Sequence, residues 1–180
     1  EALLPCIGND TPSSASMIYI TEDGERTMAT YLGVSHDMRA QDIPMDQLLN
    51  TDFIVVESYL LDIPSCKSML ASIFGQAEQE SIKLVFTITD TACAQRHAEF
   101  IKSIIPSAAI VFGSREVFQV LYGEEERAAI EERAHHADQL IIMTGKTGSW
   151  LLGEKKQQFV EKETQSIVDR TASDDIFIAG

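Results

Sequence analysis

The chain has 180 residues and a formal net charge of −14 at pH 7, from 28 acidic and 14 basic residues. Hydrophobic residues make up 44% and charged residues 23%, a composition typical of a globular protein with a core of its own. The length is that of one domain. The excess of negative charge argues against nucleic acid or an anionic membrane surface as a partner.

The cysteines and the ends of the sequence set further limits. Cys6, Cys66 and Cys93 are odd in number and widely spaced, which favours neither a disulfide framework nor a zinc site. We therefore expect a reducing, cytoplasmic location. We expect no signal peptide, and no apolar run in this sequence is long enough to span a bilayer. Because the sequence lacks an initiating Met and stops where a helix begins, we expect it to be a fragment.

Hydrophobic periodicity and turn residues predict elements along the whole chain. The Asp23-Gly24 pair lies between two β-rich runs and predicts a hairpin at residues 17–31. Met69, Leu70 and Phe74 have helical spacing. In chain order we expect the hairpin, a helix at 41–49, a strand at 53–56, a helix at 64–79, a strand at 84–88, a helix at 93–105, a strand at 109–112, a helix ending at 122, an acidic helix at 124–136, a strand at 140–143, a hairpin of 150–152 with 158–160, and a last strand and helix.

Short apolar strands that alternate with helices indicate an α/β fold. Strands of this kind form a mainly parallel sheet with helices on both faces, so we predict one doubly wound domain over residues 1–180. Ligands of such sheets bind at the carboxyl ends of the strands. The strand ends are therefore the places to look for functional residues.

The last strand end leads into a small, acidic segment. The apolar pair Ile167-Val168 is followed by residues 169–175 and then by a helix-like stretch. Ser173 or Asp174 could cap that helix, and the free N–H groups of its first turn would hold an anion. An aspartate beside such amides could deprotonate a hydroxyl group. A plain N-capped helix explains the same residues equally well.

Other strand ends carry weaker signals. In Thr144-Gly145-Lys146-Thr147-Gly148, two glycines allow a ligand close to the backbone and Lys146 could face a phosphate, although a simple turn also fits. Ser114 and Asp90 are each read best as helix N-caps. His135-His136 and the glutamates at 124–126 and 131–132 are read as solvated helix residues.

Several of these segments together resemble the ribokinase-like (phosphofructokinase B type) carbohydrate and nucleoside kinases. The family's C-terminal signature reads roughly D-T-T-G-A-G-D-x-F-x-A-G. The chain matches it at these positions: Asp169, Thr171, Asp175, Phe177, Ala179 and Gly180. The family's Gly-Ala-Gly is replaced by Ala172-Ser173-Asp174.

Further family segments recur in the same order. Residues 23–28 look like the family's D-G-E-R-T-M, which leads from a small β lid to the main sheet. Residues 144–148 look like part of its T-x-G-x-x-G. Thr89-Asp90 and residues 57–60 resemble segments of bacterial adenosine kinase-like sugar kinases. Where the family has N-x-x-E, the chain has Ser114 and Val117, and Glu116 is one residue out of place, about 100° away on a helix.

The resemblance implies transfer of the γ-phosphate of ATP, with Mg²⁺, to a hydroxymethyl group of a sugar or nucleoside. Asp175 would be the general base, and the backbone amides of Ala172, Ser173 and Asp174 would form the anion hole. The resemblance also implies nucleotide-binding residues, which here are Thr144, Gly145, Lys146 and Gly148. From the turn and the alternating residues of the hairpin at 17–31, we expect it to project from the α/β body and either to cover a substrate cleft or to pair with another subunit, as in a homodimer formed through the lid hairpin.

Two other readings of the sequence stay open. A carboxylate at Asp174 would repel a phosphate, so the chain could instead be a catalytically impaired binding or regulatory protein with the kinase fold. An unrelated α/β domain with an accidental resemblance is the third reading.

Overall fold

The computed structural model describes residues 10–23, 26–123, 139–153, 157–163 and 172–179. The strands in these ranges are β1 (Ala15–Ile20), β2 (Arg26–Tyr31), β3 (Phe53–Glu57), β4 (Lys83–Ile88), β5 (Ile110–Ser114), β6 (Leu140–Thr144), β7 (Gly148–Leu152) and β8 (Gln157–Glu161). The α-helices are α1 (Met45–Leu48), α2 (Cys66–Gln79), α3 (Thr91–Arg96), α4 (Ala98–Ile104), α5 (Arg115–Tyr122) and α6 (Ser173–Ala179). Short 3₁₀ helices lie at Gly33–Asp37, Ala40–Asp42, Ser58–Asp62 and Ile105–Ser107.

The main sheet has six strands in the order β3-β4-β5-β6-β7-β8. The strands from β3 to β6 are parallel, whereas β7 and β8 are antiparallel additions at one edge. β1 and β2 form a separate antiparallel sheet. The predicted α/β class is confirmed, with a mainly parallel sheet and a small β-hairpin apart from it.

The helices α2 to α5 bury one face of this sheet. Phe74 of α2 meets Phe86 of β4 edge to face at 6.1 Å, and Phe118 of α5 packs over Gly113 of β5. Successive strand residues face opposite sides, so Phe112 belongs to the other face. Phe177 of α6 packs against Phe112 there, with ring centroids 6.5 Å apart. Helices therefore lie on both faces, as expected.

The second face is less completely covered than the sequence led us to expect. Val55 on β3 is 65% exposed and Phe53 is 50% exposed, whereas Ile54 and Val56 between them are buried. The short apolar strand was expected to be buried on both faces. It lies at the edge of the sheet, and among the described residues only its helix-facing side is covered.

Two predicted helices are interrupted. The helix expected at 93–105 is divided into α3 and α4 at His97, whose backbone (φ −120°, ψ 19°) leaves the helical region. The helix expected at 41–49 is a 3₁₀ turn followed by α1, because Pro44 between them has no N–H to donate. Asp90 caps α3 as predicted, by accepting a bond of 2.5 Å from Cys93 N.

Some expectations fall outside the described residues. These are the acidic helix at 124–136 with His135-His136, the terminal strand at 167–168, and the signature residues Asp169, Thr171 and Gly180. Among the helices that the structure describes, none has the length and hydrophobicity to cross a membrane.

The β1–β2 hairpin is confirmed, and every residue of both strands is exposed. Its base is fixed where Val34 N donates to Pro12 O at 3.0 Å. The neighbouring Gly33 has φ +54°, and a Cβ there would lie 2.8 Å from the carbonyl carbon of Ser13 and closer still to Pro12 O. Only glycine fits this crossing.

We therefore expect Gly33→Ala to lower the free energy of unfolding by about 2–4 kcal/mol, since it adds left-handed strain and a steric clash. Urea denaturation measures the change. The matched control is Gly75→Ala in α2, where a Cβ meets nothing within 4 Å. That variant should be more stable by about 0.5–1 kcal/mol. Equal effects of the two substitutions would contradict this account of the hairpin base.

Candidate active site

The carboxyl ends of the parallel strands meet at one edge of the sheet. β3 ends at Glu57, whose Oε1 accepts a hydrogen bond of 3.1 Å from Thr89 Oγ1 just after β4. β5 and β6 end side by side, with Ser114 paired to Thr144. In a parallel α/β sheet this edge is where ligands bind.

A cavity of about 390 Å³ opens beside the end of β6. Four of the predicted nucleotide-binding residues line it. The complete lining is Arg115, Glu116, Gln119, Met143, Thr144, Gly145, Lys146, Thr147, Gly148, Trp150 and Phe159. The structure thus brings the predicted Thr144–Gly148 segment together with the first turns of α5.

A narrower pocket adjoins this cavity and shares Thr144 with it. Thr89, Ser114, Thr144 and Asp174 supply its polar lining. Asp174 is therefore a pocket residue, whereas Asp175 is exposed beside it and lines neither cavity.

The helix α6 begins at Ser173, which is one residue earlier than a cap at Ser173 requires and two residues earlier than a cap at Asp174 requires. Ala172 takes the position before the helix, and its carbonyl accepts a 2.9 Å bond from Ile176 N. Ala172 also has φ +58°, in the left-handed region that favours glycine. The backbone here has a glycine-type conformation although the residue is alanine.

Asp174 lies among charges of both signs. Burial raises the pKa of its carboxyl group, and the neighbouring Asp175 and Glu116 raise it further. Arg26 opposes these effects most strongly, and Lys162 also lowers this pKa. Arg26 is the first residue of β2, next to the turn, so charge at the turn end of the hairpin acts on the pocket where Asp174 lies.

The charge of Arg26 also acts on Tyr59, which lies just after the end of β3. Burial raises the pKa of Tyr59 to about 12, with additional contributions from Asp90 and Glu57, while Arg26 lowers it. The Arg26 guanidinium thus lies within electrostatic reach of the end of β3 and of the start of α6.

The two glycines of the 144–148 segment have different structural roles. Gly145 N donates to Gly148 O at 2.9 Å and closes the turn. A Cβ on Gly148 would lie 2.6 Å from Phe159 Cζ and closer still to Val160 O. Close packing against β8 therefore requires glycine at position 148, whether or not a ligand also approaches the backbone there.

At the start of α5, Ser114 is an N-cap as predicted, because its Oγ accepts a 3.2 Å bond from Val117 N. Val117 is fully buried and cannot replace the family's metal-organising glutamate. Glu116, expected to turn away, instead lines the large cavity. Glu116 lies on the first turn of α5, which borders the cavity, and this is why its side chain lines the cavity although it is out of register with the family's glutamate.

One cluster escaped the sequence analysis. Ligand atoms of Asp62, Cys93 and His97 all lie within 4.8 Å of one another. The Cys93-x-x-x-His97 spacing on one helical face was the available signal, whereas nothing in the sequence pointed to Asp62.

The Asp62 carboxylate in this cluster already has partners. It accepts bonds from Arg96 Nη2 at 2.6 Å and from His97 Nε2 at 2.8 Å. Burial alone would raise its pKa, but these two partners hold the pKa below the ordinary value. The network ties the 3₁₀ helix after β3 to the break between α3 and α4.

The fold is that of an α/β protein with a mainly parallel sheet and a separate β-hairpin, and two pockets lie at the carboxyl edge of the sheet. The model of the pfkB family of carbohydrate kinases matches residues 6–180. The chain belongs to this family.

Similar proteins include kinases of sugars and nucleosides. An uncharacterized sugar kinase from Archaeoglobus fulgidus is 24% identical over 170 residues, which are 93% of this chain and 66% of the relative. Adenosine kinase from Sinorhizobium meliloti matches with a TM-score of 0.84 and 27% identity, over 94% of this chain and 53% of that one. A probable sugar kinase protein from Rhizobium etli CFN 42 gives 0.84 and 28%, over 94% and 52%.

The chain thus spans about half to two thirds of the length of these relatives. The matches cover 93–94% of this chain, so the similarity extends over nearly all of its length.

The strained residue before α6 gives a direct test of the local geometry. Ala172→Gly should raise the free energy of unfolding by about 0.5–1 kcal/mol, because glycine adopts φ +58° without the steric penalty. Urea denaturation measures this. As a control, Ala71→Gly at an exposed position in α2 should lower stability by about 1 kcal/mol. A destabilised Ala172→Gly variant would contradict the left-handed conformation.

Proposed function

We propose that the protein is an ATP-dependent phosphotransferase that acts on a hydroxymethyl group of a sugar or nucleoside. The observation that carries the proposal is the adjacency of the Thr144–Gly148 cavity to the pocket containing Asp174, at the carboxyl edge of a pfkB-family sheet. The names of the similar proteins, a sugar kinase and an adenosine kinase, support this acceptor class.

Asp175 is our choice for the general base. Its carboxylate would accept the proton of the acceptor hydroxyl as that oxygen attacks the γ-phosphorus. The N–H groups of residues 172–175 would hold the phosphoryl oxygens as negative charge develops on them. Lys146 and the Thr144–Gly148 backbone would hold the nucleotide's phosphates.

Mg²⁺ would enter bound to the phosphates of ATP and would neutralise part of their charge. Asp174, Asp175 and Glu116 interact electrostatically, but among the described residues these three do not bring their oxygens together as a metal site, so we assign the ion no protein ligand there. Arg26 and Lys162 offset the same negative field from the protein side. A cytoplasmic location agrees with ATP as co-substrate and with the free thiols of Cys66 and Cys93.

The catalytic assignment predicts the effects of two substitutions on phosphoryl transfer from labelled ATP to adenosine and to ribose. Asp175→Asn should lower kcat by about 10²–10⁴-fold with little change in the KM for ATP, because the base is lost and the shape is kept. Asp174→Gly should raise ATP affinity, because a carboxylate is removed from the pocket. The control Asp46→Asn, at an exposed position in α1, should have no effect.

The contrary result would favour a second function. Asp174 in the pocket and Val117 in place of the family's glutamate are the observations that support a catalytically impaired binding or regulatory protein. On either reading we expect ATP to bind weakly, with a Kd in the high micromolar range. Transfer unchanged by Asp175→Asn, together with ATP affinity unchanged by Asp174→Gly, would make residues 174–175 part of a helix start only.

The hairpin supports a homodimer. A two-stranded sheet alone is marginally stable, yet Met17 and Tyr19 on one face and Ile18 and Met28 on the other are all exposed. Arg26 shares the face of Ile18 and Met28, so this face is directed to the cleft. The opposite face, with Met17 and Tyr19, would pack against the hairpin of a second copy.

This arrangement predicts different effects for substitutions on the two faces. Met17→Glu should convert a dimer to a monomer, because a charge would be buried in the contact, while Met28→Glu should keep the dimer and weaken acceptor binding. Sedimentation equilibrium of the two variants and the parent protein measures this. A parent protein that stays monomeric, or a Met28→Glu variant that alone dissociates, would contradict the assignment of faces.

A further inference from the structure

The cavity of about 390 Å³ has an aromatic wall that the chemistry at Asp175 does not use. Trp150 of β7 and Phe159 of β8 both line it, with ring centroids 4.8 Å apart and planes tilted by 44°. The two residues are directly opposite each other in the antiparallel register. Phe159 is 40% exposed, so part of its ring remains open to a ligand.

The position of this wall depends on the glycine loop. A Cβ on Gly148 would collide with the Phe159 ring, so glycine lets that ring approach the turn. The aromatic pair therefore lies beside Gly145 and Lys146, which line the same cavity.

The opposite wall of the cavity is polar. Arg115, Glu116 and Gln119 of α5 face the interior and together offer hydrogen-bond donors and acceptors. A purine base has flat faces that stack on aromatic rings and an edge with both donors and acceptors. The two walls match these two sides of a base.

The cavity also borders the pocket of Asp174, so an extended ligand such as a nucleotide could occupy both. Thr144 lines both this cavity and the pocket that holds Asp174. A ligand with its base against Trp150 would pass Lys146 and Thr144 before reaching Asp174. Only a ligand with an aromatic end and an anionic end uses all of these groups.

We propose that Trp150 and Phe159 form the stacking platform for the purine base of the nucleoside triphosphate, with the polar residues of α5 at the edge of the base. The inference rests on the proposed function, and it adds the residues that make the site prefer a nucleotide over a bare polyphosphate.

Trp150 is itself a reporter, since the chain contains one tryptophan. Titration of the protein with ATP and Mg²⁺ should quench or shift its fluorescence, and GTP should do the same. Tripolyphosphate, which has no base, should bind without this change. Calorimetry on the same samples measures binding independently of the fluorescence.

Two variants test the contribution of each ring. Trp150→Leu and Phe159→Leu should each weaken ATP binding by about 5- to 100-fold and leave tripolyphosphate binding unchanged. Phe53→Leu is the matched control, because Phe53 is an exposed phenylalanine on β3 at the other edge of the sheet. Unfolding midpoints of all three variants show whether each one is folded.

The outcomes separate this inference from the proposed function. Calorimetry could show ATP binding while ATP leaves the Trp150 fluorescence unchanged and both variants bind ATP as tightly as the parent protein. The base then lies elsewhere, and the inference fails while the proposed function stands. If the variants lose stability without losing ATP affinity, the pair is a structural contact and the inference also fails. Absence of any ATP binding overturns both.

Discussion

The site depends on the common register of the four parallel strands. Burial of alternate residues such as Ile54, Phe86 and Val111 against the helices fixes which side of each strand faces the core. A shift by one residue would reverse every side chain, so burial also fixes where each strand ends. The edge that contains Glu57, Ser114 and Thr144 is thus a consequence of core packing.

The start of α6 shows how a backbone conformation can persist after its usual residue has changed. Ala172 keeps φ +58° at a steric cost of about 1 kcal/mol. The same segment adds a carboxylate at Asp174, in a pocket where burial disfavours its charge. Arg26 and Lys162 reduce that penalty. The segment that we propose as a phosphate cradle therefore combines a glycine-type backbone with a carboxylate, which is why binding and catalysis must be tested separately.

Much of the fold could be predicted from the sequence because local signals decided it. The Asp23-Gly24 turn gave the hairpin, and apolar runs gave the strands. The break at His97 could not be predicted, since it accompanies a hydrogen bond to Asp62, 35 residues away. The packing role of Gly148 could not be predicted either, because it depends on a close contact with the Phe159 ring on the neighbouring strand β8. The position of Glu116 at the cavity likewise required the packing of α5.

Because the protein has a large net negative charge, its cationic residues near the proposed site are important for the binding of phosphate groups. With a net charge of −14, a nucleotide approaches against the overall field, and long-range steering opposes its binding. Lys146 lines the cavity, and Arg26 and Lys162 lie within electrostatic reach of Asp174, so these cations offset the carboxylates near the proposed phosphate site. Because Arg26 belongs to the hairpin, the field at Asp174 depends on where the hairpin lies. The electrostatics of the proposed phosphate site therefore depend on the hairpin as well as on the sheet.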